Sequence, residues 1–219
     1  MKMKMRNGQN PDRRVSKEGR AGCLLVVGFA GKKRAIVAGD KRSIAFFGRA
    51  EELEEELYGG EIRSREDLQR RCEELGSKVA IADGREKVWD RGGVLAGEVT
   101  EISAERERRR RIYLVPGGYL LVEVDGKRAE ISKRGASTLI ILGNRFTRDF
   151  AFKRLGSGRP PDEASIRALF EEAGRATASV SPDYTVLTSS SIHRDPEAAL
   201  LRALREDCEE GGWELCGLA

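Results

Sequence analysis

The chain has 219 residues, 39% hydrophobic and 35% charged, enough for one sizeable buried core beneath a heavily charged surface. Its 40 basic residues nearly balance 36 acidic ones, leaving a net charge of +4 and no strong field for nucleic acid or an anionic membrane. No apolar run approaches the ~18 residues of a membrane span.

The four cysteines (Cys23, Cys72, Cys208, Cys216) lack CxxC spacing, and His193 is the only imidazole. A zinc site or a disulfide framework is therefore not expected, nor is a cofactor. The basic, polar start MKMKMRNGQNPDRRVSKEGR has no apolar centre of the signal-peptide kind, so a cytoplasmic protein is expected.

Residues 1–22 hold Gly8, Asn10-Pro11 and little to bury. They read as a flexible basic extension ahead of one domain over 23–219. Leu24–Phe29 and Arg34–Ala38 read as strands joined by a Gly-Lys-Lys turn, and Ser43–Phe47 as a third strand. An acidic helix over 49–58 (EELEEELY within it) stops at Gly59-Gly60. Ser64, with Asp67 three residues on, caps a second helix running through Leu75.

The centre is strand-rich. Runs at 78–81, 87–89, 94–102, 112–115, 119–124, 129–132 and 138–142 are separated by Asp83-Gly84, Gly92-Gly93, Pro116-Gly117-Gly118 and Asp125-Gly126. Helical patterns follow over 145–155 and from Asp162 to about 178, with Ile166, Leu169, Phe170 and Ala173 on one face. Asp195-Pro196 opens a helix through Glu209, and 213–216 closes as a short strand. Strands toward both ends with helices among them predict an α+β layered domain.

Three motifs invite chemistry, and each has a plainer reading. GFAGKK looks like a phosphate loop, but Val26 stands where its first Gly belongs and Lys33 where its Ser or Thr belongs. It reads as an exposed hairpin turn. The basic run Arg106–Arg111 offers a place for RNA or another polyanion, yet no aromatic residue interleaves with it before Tyr113. A solvated strand end is the plainer account. His193 follows three serines, but no GxSxG elbow exists, so it reads as a loop histidine before a helix cap.

The hairpin ending in AGDKR, Ala38–Arg42, resembles the start of a proteasome β-type subunit, an N-terminal nucleophile hydrolase. In such a site a free α-amine serves as base for the hydroxyl or thiol of its own residue. A lysine oriented by an Asp assists, and a backbone N–H receives the oxyanion.

The resemblance extends through GKKRAIVAGDKRSIAFFG, EELEEELYGGEI, EELGSKVAIADGREKVWDRGGVLAGEV, RRRRIY, TASVS and LLRALREDCEEGGWEL, which together are similar to the connectase family, proteasome-like proteins of methanogenic archaea. It covers nearly all of 23–215. It implies a four-layer αββα sandwich and a transpeptidase, or protein ligase, acting on a peptide or protein substrate without ATP. A methanogen methyltransferase subunit is the target class implied.

Carried across residue by residue, the resemblance makes Asp40 the Asp at the end of the second strand. Lys87 becomes the lysine, with Lys78 a weaker match, and Gly97 the oxyanion glycine. Ser179, Ser181 and Asp183 fall where hydroxyls and an Asp brace the catalytic amine.

The departure lies at the nucleophile. Counting back from Asp40, its position falls on Leu24, which has no nucleophilic atom. Cys23, preceded by Gly22, stands one residue earlier. Two readings stay open: cleavage after Gly22 frees Cys23 as nucleophile, or the chain is a non-catalytic paralogue that binds peptides or proteins.

Overall fold

A computed structural model of the chain describes residues 19–23, 25–48, 50–102, 106–156 and 158–217. Its first element, β1 (Gly19–Cys23), falls partly in the segment expected to be extension. Nothing in GRAGC signals a strand; its neighbours recruit it. β1 pairs antiparallel along its length with β4 (Ser43–Phe47), and Ala21 and Gly22 also face Ile102 and Glu101 of β7 (Val94–Ile102).

The expected hairpin forms from β2 (Leu25–Ala30) and β3 (Ala35–Asp40), in register from Val26–Gly39 to Ala30–Ala35. Every residue of both strands is buried, as their unbroken apolar runs require of strands covered on two faces. Leu25, Val27 and Phe29 pack on α3 (Arg145–Leu155) and α4 (Glu163–Ala176) through Ala151, Ile166 and Phe170. Val26 and Ala30 point the opposite way, into a second core with Leu95, Val99, Ile112 and Leu114. Gly28 lets the sheets close there, since a Cβ would stand 2.3 Å from Ile112 Cδ1.

The smaller sheet runs β11 (Thr138–Gly143), β2, β3, β12 (Tyr184–Ser189). The larger runs β13 (Glu214–Cys216), β10 (Arg128–Gly135), β9 (Gly118–Asp125), β8 (Glu107–Val115), β7, β1, β4, β5 (Lys78–Ala82), with β6 (Val88–Arg91) also on β7. β13 lies parallel to β10; the other strand pairings among the described residues are antiparallel. α5 (Pro196–Gly211) lays Leu200, Ala203 and Leu204 on Tyr113, Leu120 and Val122 of the larger sheet. α1 (Glu51–Gly59) and α2 (Arg65–Glu74) cover Ile44 and Phe46 with Leu53, Leu57 and Leu68. The result is a mixed α+β fold on two sheets.

The caps read from the sequence are in place: Ser64 accepts from Asp67 N–H, and Asp195 from Ala198 N–H with Pro196 opening α5. α1 starts at Glu51 with no side-chain cap, its first turn carried by Glu51, Glu52 and Glu54 against the helix dipole. β8 begins at Glu107, five residues before the expected Ile112, so the basic run from Arg108 to Arg111 lies within a strand and Arg106 just ahead of it.

Candidate functional site

Four donors converge on Asp40 where β3 ends. Its Oδ1 accepts Leu25 N–H (3.1 Å) and Lys87 Nζ (2.5 Å). Its Oδ2 accepts Arg42 N–H (2.9 Å) and Ser181 N–H (3.3 Å). Both Asp40 and Lys87 are buried. Lys87 arrives from the residue just ahead of β6, held there as Glu98 N–H donates to its carbonyl (2.8 Å). Its stem crosses Gly39, where a Cβ would stand 3.1 Å from Lys87 Cβ. A buried pair of this kind persists only when hydrogen bonds support its charges, and on the Asp40 side three backbone amides do so.

The chain changes sheets beside this pair. Cys23 ends β1 opposite Ser43 in the larger sheet, and Leu25 opens β2 in the smaller one. Leu24, where the nucleophile position is expected, lies outside the described residues. The N–H immediately following it belongs to Leu25 and is bonded to Asp40.

The segment TASVS is built in over the same carboxylate. Ser181 reaches Asp40 through its N–H, while its hydroxyl accepts Asp183 N–H (3.1 Å). The Ser179 hydroxyl turns elsewhere, to Thr177 Oγ1 (3.1 Å) and Asn144 Nδ2 (3.4 Å). The Asp183 carbonyl accepts Lys41 N–H (3.1 Å).

Gly97 lies in the layer below, opposite Val88 on one side and Ile112 on the other. Since Glu98 N–H points to Lys87 of the β6 side, strand alternation turns the Gly97 amide toward Ile112 and into the ladder. A Cβ there would meet Val26 Cγ1 at 2.8 Å and Val37 Cγ2 at 3.0 Å. The glycine answers a packing requirement between the sheets. Lys78, on β5 opposite Phe47, is exposed and outside the Asp40 cluster.

The sequence model described as Connectase MJ0548-like, N-terminal domain, matches residues 24–209. The chain belongs to the connectase family. Among solved structures it is similar to eukaryotic HslV from Trypanosoma brucei, at 16% identity and TM-score 0.30, over 77% of this chain and 100% of that one. No curated protein matches it. The connectase match opens on Leu24, so β1 stands ahead of the matched residues.

Two residues of this cluster were not singled out from the sequence. Arg42 is buried and donates to the carbonyls of Ala178 (2.7 Å) and Val180 (3.2 Å), clamping TASVS. Its other nitrogens fork onto Asp83 at 2.8 and 3.0 Å. That hydrogen bond, foremost, holds the Asp83 carboxyl below its usual range. The available signal was an arginine two residues past Asp40 facing an Asp-Gly turn, and both read as ordinary turn chemistry. At the rim, Lys41 pairs with Glu86, which also accepts from Thr185 (2.9 Å).

The remaining sequence candidates lie away from Asp40. Lys32 and Lys33 are exposed on the hairpin turn, and His193 sits in the loop before α5. Cys72 and Cys208 are buried, and burial pushes both thiols up, away from the reactive thiolate. The basic run is neutralised by acids across its own sheet. Arg106 pairs with Asp125, Arg108 with Glu123, Arg109 with Glu98 and Glu107, and Arg110 with Glu101. Arg111 bridges Glu98 and Asp207, with Trp89 and Trp213 against its guanidinium.

Proposed function

We propose that this chain is a peptide-binding member of the connectase family that keeps the Asp40–Lys87 pair but lacks the nucleophile the pair serves, with the four-layer αββα arrangement of N-terminal nucleophile hydrolases. The observation that carries this reading is the Leu25 N–H on Asp40 Oδ1, the same oxygen that takes Lys87 Nζ. The pair thus serves the position directly before Leu25. That position is a leucine, which has no atom able to attack a carbonyl. The ligand class is an extended peptide or protein segment, and cytoplasmic location goes with the reading.

A second reading rests on Cys23, which ends β1 one residue before that position. Here the peptide bond after Gly22 is hydrolysed, freeing the Cys23 amine as base for its own thiol. Lys87 and Asp40 act as activators and Ser181 as a brace, in a transpeptidase. A peptide bond of the substrate breaks to give a thioester and a leaving amine, and a second amine then restores the thiol.

One experiment separates the two. Intact mass is followed while the full chain is held for hours at its working temperature, and the chain is then incubated with peptides from a methanogen methyltransferase subunit. The first reading expects an unchanged mass, peptide binding, and no acyl adduct. Loss of residues 1–22, with peptide exchange abolished by Cys23→Ala, would overturn it in favour of the second.

A further inference from the structure

β11 ends one side of the smaller sheet. Its inner edge pairs with β2 from Thr138–Ala30 to Gly143–Leu25, and among the described residues no backbone group bonds its outer edge. The strand reads TLIILG, without charge or proline, and Thr138 to Ile141 are only half-buried. An open apolar edge of this kind is a template for another strand, and proteins ordinarily guard it. The other edges are guarded here. β5 carries Lys78, β13 is three residues long, and β12 has the carboxylates of Glu86 and Glu163 on its Thr185 and Thr188 hydroxyls.

The smaller sheet stops at β11, but the larger continues beneath it as β9, β10 and β13. A groove of about 380 Å³ lies between them, floored by Tyr119, Leu121, Ser132 and Lys133. An extended chain laid along β11 meets apolar surface on both faces. Tyr119, Leu121 and Ile140 edge the core between the sheets, and Leu139, Ile141 and Phe150 edge the core under α3 and α4.

The overhang of the larger sheet decides what can use this edge. Two copies joined edge to edge through β11 would share one sheet plane, which drives the β9, β10 and β13 of each into those of the other. A single extended segment has no such bulk. The charges of the groove narrow the choice further. Arg110 pairs with Glu101 and Glu123 with Arg108, whereas Lys133 is exposed and has no ion pair among the described residues.

We propose that β11 is a docking strand for an extended segment of a partner protein, apolar along its length except for one carboxylate set against Lys133. The segment adds a strand to the smaller sheet. Its main chain takes the outer edge of Thr138–Gly143, and its alternate side chains bury on Leu121 below and Phe150 above. This surface is two strands from β3, which carries Asp40, and it does not draw on the peptide-binding reading of that site.

The test uses the full chain with two fluorescent peptides, STVDVLTS and STVKVLTS, and an N-methylated copy of the first that cannot donate to a strand edge. The acidic peptide should bind about fivefold more tightly than the basic one, and Lys133→Glu, an exposed change, should reverse that order. N-methylation should abolish binding. Residue-resolved hydrogen exchange should show the acidic peptide slowing the outward amides of Thr138–Gly143. No slowing there at peptide concentrations on the order of millimolar would overturn the proposal. So would an order of affinity that Lys133→Glu leaves unchanged, or full binding by the N-methylated copy. A parent that sediments as a dimer with those amides already slow would put a second copy on the edge and overturn it as well.

Discussion

Lys87 Nζ stands 2.5 Å from Asp40 Oδ1, with the two side chains 1% and 0% exposed. Removing one partner strands the other charge in the core. Lys87→Met and Asp40→Asn should each cost about 3–5 kcal/mol of stability. The double variant should cost clearly less than their sum, because the stranded charge is gone. Urea denaturation of the three variants measures this. Fully additive costs would mean that the two side chains do not act as a pair.

The Arg42–Asp83 clamp makes a prediction about pH. Arg42 depresses the folded pKa of Asp83, so the carboxylate binds fewer protons folded than unfolded in the acid range. Its contribution is fully present above the unfolded value of about 3.9 and is lost as pH falls through the lower folded value. Asp83→Asn should cost about 1–3 kcal/mol at neutral pH and flatten the acid limb of stability. Urea midpoints between about pH 3 and 7 read both effects. An unaltered limb would count against the clamp.

Gly97→Ala tests the packing account of that position. Its Cβ would enter space held by Val26 Cγ1 and Val37 Cγ2, at 2.8 and 3.0 Å. A loss of about 1–3 kcal/mol is expected. Adding Val26→Ala should recover part of it, a compensation that loss of an oxyanion donor would not show. Thermal denaturation of the single and double variants decides the matter.

The arginine run should not behave as a polyanion site. Arg106, Arg108, Arg109 and Arg110 each face a carboxylate on their own sheet. The chain should therefore leave a heparin or nucleic-acid column by about 0.15 M salt. Glu101→Gln with Asp125→Asn, which unmasks Arg110 and Arg106, should lengthen retention. Strong retention of the parent would refute the neutralised ladder.

The helices were legible because their signals are local. Ser64 and Asp195 announced caps, and Ile166, Leu169, Phe170 and Ala173 marked the buried face of α4. The β2–β3 hairpin was legible for the same reason, as two apolar runs around a short turn. β1 was not. Five residues with two glycines carry no strand pattern, and only the edges of β4 and β7, distant in sequence, make a strand of them. Arg42 was missed because its partners, Asp83 and the Ala178 and Val180 carbonyls, are 41, 136 and 138 residues away.

What the sequence determined by itself was the family, the hairpin ending in Asp40, and the absence of a nucleophilic side chain at position 24. Residue identity alone settles such points. The tertiary structure decided which donors meet at Asp40: Lys87 over Gly39, the amide of Leu25, and Ser181 held in by Arg42. It also decided that Gly19–Cys23 is a strand and that the basic run is neutralised. These outcomes depend on pairing between segments far apart in the chain, where backbone edges and opposite charges satisfy one another only after the sheets have formed.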